Sequence, residues 1–171
     1  MFDCYYRLAT SASDIVANMF SSSLDELQYQ EYYNFNASLL GREEWVHNPA
    51  LREINDQFPI AHAGILRMEP NTGYDWHTDT DRQLAINMVL PMAHHDRHPS
   101  HTLFSRDQGE GMNYHFASLN YVPGSLYVFN TQVPHTVINF ASKRYLFSVE
   151  FETLPQTTYE NVRNFCLAQG L

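Results

Sequence analysis

Four side chains have the types and the spacing to act together on a metal ion and an anion. His77 and Asp79 are two positions apart, His135 comes much later, and Arg144 follows His135 by nine positions. In an extended strand, residues i and i+2 point to the same face, about 6.6 Å apart along the chain. The imidazole of His77 and the carboxylate of Asp79 can therefore converge on one ion, with His135 as the third ligand.

This ligand set predicts a particular metal chemistry. Two histidines and one carboxylate, with coordination positions left open, are what non-haem Fe(II) oxygenases use. The open positions can take a chelating molecule and O₂, and the guanidinium of Arg144 can bind a carboxylate through two parallel hydrogen bonds. The short His77-Thr78-Asp79 motif is weak alone. It gains weight from its context: the preceding strand and turn, the following apolar strand, and His135 placed before Arg144.

The composition limits the class of protein. The 171 residues suit one domain with a substantial core, and the 14% aromatic and 17% charged residues indicate a folded chain. A net charge of −9 argues against a nucleic-acid partner. We find no signal peptide and no run of about 18 apolar residues, so we expect no membrane segment. Cys4 and Cys166 are best interpreted as thiols in a reducing compartment, which predicts a soluble, cytoplasmic protein.

The pattern of elements predicts a single domain over residues 1–171 in three parts. Residues 1–59 are expected to form helical support on the outside of a sheet, with helices over 13–20, 24–30 and 49–58, although 30–35 is equally compatible with a strand. Residues 60–152 are expected to form a β core, and residues 153–171 a C-terminal tail with a short helix over 158–169.

Residues 60–152 carry short apolar runs separated by turn residues, which predict a mainly β fold. About eight strands at this spacing indicate a sandwich, barrel or jelly roll. A turn is expected at Pro123-Gly124, between two short strands. The expected strands cover 61–68, 73–79, 83–90, 101–106, 112–118, 120–130 in two pieces, 135–140 and 143–152.

Two segments resemble a known superfamily. ILRMEPNTGYDWHTD and PGSLYVFNTQVPHTVINFASKRYLFSVEF are similar to Fe(II)- and 2-oxoglutarate-dependent dioxygenases. Within that superfamily they are most similar to the aspartyl/asparaginyl β-hydroxylase branch, with some likeness to prolyl hydroxylases. The resemblance covers about residues 60–152. It implies a double-stranded β-helix (jelly roll, cupin-like) with N-terminal helices packed on the sheet, and hydroxylation of an amino-acid or peptidyl side chain or another small molecule.

The resemblance also implies roles for single residues. It implies Fe(II), 2-oxoglutarate as cosubstrate and O₂, with a small-molecule or peptide substrate. Leu146 stands where some relatives have the Ser of an Arg-x-Ser signature, so other hydroxyls or amides would complete the cosubstrate site. The metal ligands would be His77, Asp79 and His135; Arg144 would bind the distal carboxylate of 2-oxoglutarate; Asn87, Gln83 and Ser148 would contact the cosubstrate, with Asn139 a further lining candidate.

Two other functions remain open at this stage. One is a cupin-type metal enzyme that does not use 2-oxoglutarate, and the other is a non-catalytic jelly-roll binding module. A histidine-rich run is a weaker candidate for a second metal site, and a solvated loop is the better interpretation. This run comprises His94, His95, His98 and His101, and three nearby arginines, Arg82, Arg97 and Arg106, are candidates for contacts to an anionic substrate.

Overall fold

The computed structural model describes residues 3–12, 15, 24–32, 35–90, 100–105, 115–140 and 142–171. These residues form eleven strands, two α-helices (α1, Pro49–Gln57; α2, Tyr159–Gln169) and two 3₁₀ turns (Leu24–Glu26 and Arg42–Glu44). The strands are β1 Tyr5–Ser11, β2 Gln30–Tyr32, β3 Phe35–Leu39, β4 Ile60–Met68, β5 Thr72–Gly73, β6 Leu84–Val89, β7 His101–Ser105, β8 Phe116–Leu119, β9 Ser125–Asn130, β10 His135–Asn139 and β11 Arg144–Phe151.

The strands pair in two antiparallel sheets. The larger sheet has the order β1-β9-β6-β11-β4-β3-β2, and the smaller has the order β5-β10-β7-β8. Sequence neighbours are often not spatial neighbours, since β6 lies between β9 and β11. Two antiparallel sheets with this non-sequential strand order form the jelly roll that the sequence resemblance predicted.

Each face of the larger sheet has its own core. The outer face packs under the helices, where Leu51 and Ile54 of α1 and Val162 of α2 join one cluster. In β11 the alternating residues Tyr145, Phe147, Val149 and Phe151 all point to this cluster, as the aromatic alternation predicts. The inner face meets the smaller sheet through a second cluster formed by Cys4, Phe104, Leu119, Tyr127 and Phe129. Arg144 and Ser148 have the opposite parity in β11, so they lie on the inner face.

Local signals fix the ends of the helices and one turn. The side chain of Asn48 accepts a hydrogen bond from the Leu51 N–H at 3.1 Å, and Pro49 occupies the first turn of α1. Pro123 and Gly124 form the expected turn, with Gly124 at φ 78° and a 3.0 Å hydrogen bond from Ser125 N–H to the Val122 carbonyl. The helices expected over 49–58 and 158–169 are therefore confirmed.

The N-terminal third differs from its predicted helical character. It supplies β1, β2 and β3 as well as α1, and only a 3₁₀ turn stands in the segment expected to be a helix over 24–30. These strands occupy the two ends of the larger sheet, where β9 and β4 would otherwise present unpaired backbone groups. The pairing is set by distant partners, which a local pattern does not contain. Of the segment expected to form a helix over 13–20, only residue 15 is among the described residues.

Two further predictions were wrong in detail. Residues 74–79 do not form a strand: β5 ends at Gly73, and His77 makes one isolated bridge. The segment before Pro123 is not a separate strand either, because β9 begins at Ser125. Within the described residues, none of the helices has the length and apolar character needed to cross a membrane.

Candidate metal centre

His77 and His135 lie directly opposite each other in a reciprocal backbone pair. The His77 N–H donates to the His135 carbonyl at 3.1 Å, and the His135 N–H donates to the His77 carbonyl at 2.8 Å. Residues paired in this way carry their side chains on the same face. The two imidazole rings consequently lie side by side, with their centroids 4.3 Å apart.

Asp79 completes a cluster of three ligand atoms. Its Oδ1 lies 3.6 Å from His77 Nε2 and 3.8 Å from His135 Nε2. Its backbone N–H donates to the Thr131 carbonyl at 3.1 Å, which fixes the residue beside the turn that leads into β10. The three ligand atoms lie within 4.8 Å of one another, which is close to the spacing of three ligands that share one ion at about 2.0–2.2 Å.

Backbone carbonyls set which nitrogen of each histidine is available to a metal. His77 Nδ1 lies 2.7 Å from the Asp75 carbonyl, and His135 Nδ1 lies 2.9 Å from the Val133 carbonyl. Because a carbonyl oxygen only accepts, each Nδ1 carries a proton and each Nε2 keeps its lone pair. Burial lowers the pKa of His135, which favours the neutral imidazole that coordinates metals.

Arg144 is a buried cation that has no counter-ion in the part of the chain that the structure describes. It is 2% exposed, and no carboxylate of the described residues lies within 4.0 Å of its guanidinium. Its Nη2 lies 3.4 Å from Thr102 Oγ1, its guanidinium carbon lies 5.4 Å from the ring centroid of Tyr121, and its Nε has no hydrogen-bond partner. Desolvation lowers its pKa from the ordinary arginine value, although the group stays charged. Burying an unpaired charge is costly, so this site favours an anion.

Polar groups surround this guanidinium. Asn87 and Ser148 are each 7% exposed and lie opposite each other in the β6–β11 register, on the same face as Arg144. The buried Oδ1 of Asn87 has no hydrogen-bond partner. The hydroxyl of Tyr121 interacts with Asn87 and Thr102, and burial raises its pKa to about 12. The Tyr121 phenol is therefore protonated at neutral pH, and its hydroxyl is available as a hydrogen-bond donor.

Sequence reasoning missed Tyr121 and Thr102. Thr102 is the second residue of a strand with no recognisable motif, and Tyr121 lies in the irregular segment between β8 and β9. Only the requirement for hydroxyls or amides in place of a serine at position 146 pointed to such residues. The pairing of β7 with β10 and β8 brings Thr102 to Arg144. That long-range register cannot be recognised in any local sequence pattern.

Other candidates have different surroundings. Gln83 is exposed and lies just before β6, so the structure gives it no contact that supports the predicted role. Asn139 acts as a structural clamp, because its Nδ2 donates to the carbonyls of Met68, Glu69 and Ser142 at 3.3, 2.8 and 2.9 Å. His94, His95, His98, Arg97 and Arg106 lie outside the described residues, and among those described His77, Asp79 and His135 are the group whose ligand atoms come together.

Solved structures share the fold at low sequence identity. A Pseudomonas putida prolyl-4-hydroxylase matches with a TM-score of 0.62 and 14% identity, covering 86% of this chain and 91% of that one. An oxidoreductase of the 2OG-Fe(II) oxygenase family from Burkholderia pseudomallei matches with a TM-score of 0.57 and 14% identity, covering 80% and 76%. A Trichoplax adhaerens prolyl hydroxylase in complex with a peptide fragment of the hypoxia inducible factor oxygen degradation domain matches with a TM-score of 0.57 and 12% identity, covering 95% and 86%.

Comparison by sequence gives no such match. No protein-family model and no curated protein matches the chain. The likeness is therefore one of three-dimensional fold. The chain has the mainly β jelly-roll fold seen in these oxygenase structures, and it brings two histidines and one aspartate together on that fold.

Proposed function

We propose that this protein is an Fe(II)- and 2-oxoglutarate-dependent oxygenase that hydroxylates an amino-acid side chain, free or in a peptide, or another small molecule. The observation that carries the proposal is the buried Arg144, which has no counter-ion among the described residues. It lies on the inner face of the fold that also holds the His77, Asp79 and His135 cluster. A set of three metal ligands alone is found in many kinds of enzyme. Three metal ligands together with a buried guanidinium that lacks a counter-ion among the described residues fit an enzyme whose cosubstrate is a chelating dicarboxylate.

The residues of the site fit both Fe(II) and 2-oxoglutarate. His77 Nε2, Asp79 Oδ1 and His135 Nε2 would hold Fe(II) on one side and leave its other positions open. Arg144, with the hydroxyls of Thr102 and Tyr121, would bind the far carboxylate of 2-oxoglutarate. The Nε–H of Arg144 has no hydrogen-bond partner, and a carboxylate of such a ligand would accept from it.

The register of β7 supports this arrangement. Thr102, which contacts Arg144, lies two positions from Phe104, and Phe104 pairs with His135 of β10. Two positions in a strand span roughly 7 Å. That is a length that a five-carbon dicarboxylate can bridge, with one end at the guanidinium and the other at the metal ligands.

The protein supplies position and exclusion of water, and the bound groups supply the oxidation. With Fe(II) and O₂ bound, 2-oxoglutarate would be oxidised to succinate and CO₂, one oxygen atom of O₂ entering succinate and the other the substrate as hydroxyl. Phe104 and Phe129 lie with their ring centroids 6.0 and 4.9 Å from the His135 ring, which keeps that side of the site apolar. The Nδ1–H of each histidine donates to a backbone carbonyl, and these hydrogen bonds keep the two rings oriented.

The proposed substrate class is argued from one solved structure and from the sequence. The Trichoplax structure holds a peptide in a protein of the same fold. Together with the resemblance of residues 60–152 to amino-acid hydroxylases, this favours a peptidyl or free amino-acid side chain. A cupin-type enzyme without 2-oxoglutarate, or a binding module without a metal, would leave the buried Arg144 without a ligand.

The test is an anaerobic titration of the purified protein with Fe(II) and then 2-oxoglutarate. We expect a weak visible charge-transfer band that needs both additions, followed in air by succinate release that a panel of amino acids and peptides stimulates. Arg144→Ala should lose the band at the same 2-oxoglutarate concentration but still bind Co(II), because it removes the anion site and keeps the three metal ligands.

Arg52→Ala is the matched control, since it removes an exposed cation from α1 and should leave the band unchanged. A wild-type protein that binds Fe(II) without any response to 2-oxoglutarate would contradict the cosubstrate assignment. A protein that binds no divalent metal would contradict the whole proposal.

A further inference from the structure

The two carboxylate oxygens of Asp79 have different partners. Oδ1 faces His77 Nε2 and His135 Nε2, at 3.6 and 3.8 Å. Oδ2 accepts a hydrogen bond from Arg82 Nε at 2.5 Å, in an ion pair three residues along the chain. The carboxylate of Asp79 is 14% exposed and the Arg82 side chain 28% exposed, so water screens this pair only in part. One oxygen is thus directed at the metal position and the other away from it.

Arg82 is itself fixed by the turn that leads into β10. Its carbonyl accepts hydrogen bonds from Thr131 Oγ1 at 2.7 Å and from Gln132 Nε2 at 2.9 Å. Gln132 Nε2 also donates to the Asp79 carbonyl at 3.0 Å, and the Asp79 N–H donates to the Thr131 carbonyl at 3.1 Å. Four hydrogen bonds therefore tie residues 79–82 to residues 131–132, which precede His135 by three to four positions.

A carboxylate can bind a metal through one oxygen or through both. If both oxygens of Asp79 bound the ion, they would take two coordination positions and leave fewer for a chelating cosubstrate and O₂. An arginine that already holds Oδ2 opposes this second bond. A partner of this kind also fixes the orientation of the ligand, which is how groups around a metal site raise its affinity.

We propose that Arg82 is a positioning residue that holds Asp79 to a single metal bond through Oδ1 and so keeps one coordination position open. This inference rests on the proposed metal site, and it goes beyond it because it assigns a role to a residue that does not touch the metal. The charge of Arg82 alone predicts the opposite effect on affinity, since a nearby cation repels a divalent ion. The direction of change on substitution therefore separates positioning from simple electrostatics.

The experiment is an anaerobic Co(II) titration of the intact protein, read by visible absorption without 2-oxoglutarate or turnover. Arg82→Ala should weaken Co(II) binding by about 10- to 100-fold, the usual effect of losing such a partner. It should also change the d–d spectrum of bound Co(II), which depends on coordination number. Arg82→Lys keeps a cationic donor and should recover part of the affinity and of the spectrum. Arg52→Ala, which removes the same charge from an exposed site on α1, should match wild type.

The outcomes distinguish this inference from the proposed function. If wild type binds no Co(II), the metal site itself fails. If wild type binds Co(II) and Arg82→Ala binds it equally well or more tightly with an unchanged spectrum, only the role of Arg82 fails. Circular dichroism and urea unfolding of each variant show that it is folded during the titration, so a loss of binding by Arg82→Ala that Arg82→Lys restores is assigned to positioning.

Discussion

Single side chains at the site owe their chemical state to backbone groups that no motif specifies. The sequence predicts that His77, Asp79 and His135 are ligands, because a histidine and a carboxylate two positions apart are recognisable. The lone pair at each Nε2 is free because a backbone carbonyl accepts a hydrogen bond from the Nδ1–H of the same ring. Only the folded chain places that carbonyl. The same is true of Arg144: its spacing from His135 is visible in the sequence, but its burial is not.

Tyr121 gives a prediction at the scale of one residue. Tyr121→Phe keeps the ring over Arg144 and removes the hydroxyl that we expect to donate to the cosubstrate carboxylate. One hydrogen bond to a charged group contributes about 1.5–3 kcal/mol, so the apparent dissociation constant for 2-oxoglutarate should rise by roughly 10- to 100-fold. The measurement is the anaerobic titration of the Fe(II)-loaded protein, with Co(II) affinity unchanged.

The control is Tyr6→Phe. The Tyr6 hydroxyl donates to the Leu171 carbonyl at 3.0 Å, far along the chain from the site, and its loss should leave the 2-oxoglutarate titration as in wild type. Because the pKa of Tyr121 is about 12, the effect of Tyr121→Phe should be the same at pH 6.5 and pH 8.5. An unchanged 2-oxoglutarate affinity in Tyr121→Phe would remove this residue from the cosubstrate site.

At the scale of elements, strands with a continuous buried pattern could be predicted, and paired irregular segments could not. The segment 83–90 reads as a buried strand and becomes β6, in which every residue is buried. The segment 73–79 reads as a strand by its alternation and is mostly irregular. It reaches β10 through scattered bonds, among them Tyr74 N–H to the Val137 carbonyl and the His77–His135 pair. The predicted convergence of His77 and Asp79 was therefore right, although the predicted geometry of one regular strand was wrong.

Asn139 gives a prediction about how these elements are held. Its amide donates to Met68, Glu69 and Ser142, which joins the end of β10 to the turn after β4 and to the start of β11. Asn139→Ala leaves buried carbonyls without donors, so the free energy of unfolding should fall by about 2–3 kcal/mol. Urea denaturation followed by circular dichroism measures this. Asn161→Ala, which removes one exposed bond to the Gln156 carbonyl, should change stability by less than about 0.5 kcal/mol.

The result that would contradict this role is equal stability of Asn139→Ala and Asn161→Ala. Asn139 would then be available to line the cosubstrate site, as the resemblance to the dioxygenase superfamily first implied. The amide geometry argues against that, because both hydrogens of its Nδ2 already point at backbone carbonyls.

At the scale of the whole molecule, the sequence predicts the fold class and misses the extent of the sheet. Alternation and turn residues over 60–152 indicate a sandwich, barrel or jelly roll, the resemblance to the dioxygenase superfamily implies the jelly roll, and the structure confirms it. The strands β1, β2 and β3 come from the N-terminal third because the larger sheet needs partners at both ends. The two cores on opposite faces of that sheet also answer a question that the sequence leaves open. Cys4 lies in the core between the sheets and Cys166 in the core under the helices, so they do not pair with each other.

These positions predict the reactivity of the two thiols. Burial raises the pKa of Cys166 to about 12, so almost none of it is thiolate at pH 8, and Cys4 is 2% exposed. We expect native protein to react very slowly with Ellman's reagent and to release two equivalents at once in urea. Cys166→Ala should release one. Rapid labelling of one thiol in the native protein would show that the core around it opens easily.

The most direct test of the central claim is an anaerobic crystal structure with Mn(II) in place of Fe(II) and with 2-oxoglutarate, read by anomalous scattering. We predict one strong peak about 2.0–2.3 Å from His77 Nε2, Asp79 Oδ1 and His135 Nε2, and a 2-oxoglutarate carboxylate on the guanidinium of Arg144. A peak held by other side chains, or cosubstrate density that leaves Arg144 without an anion, would contradict the account.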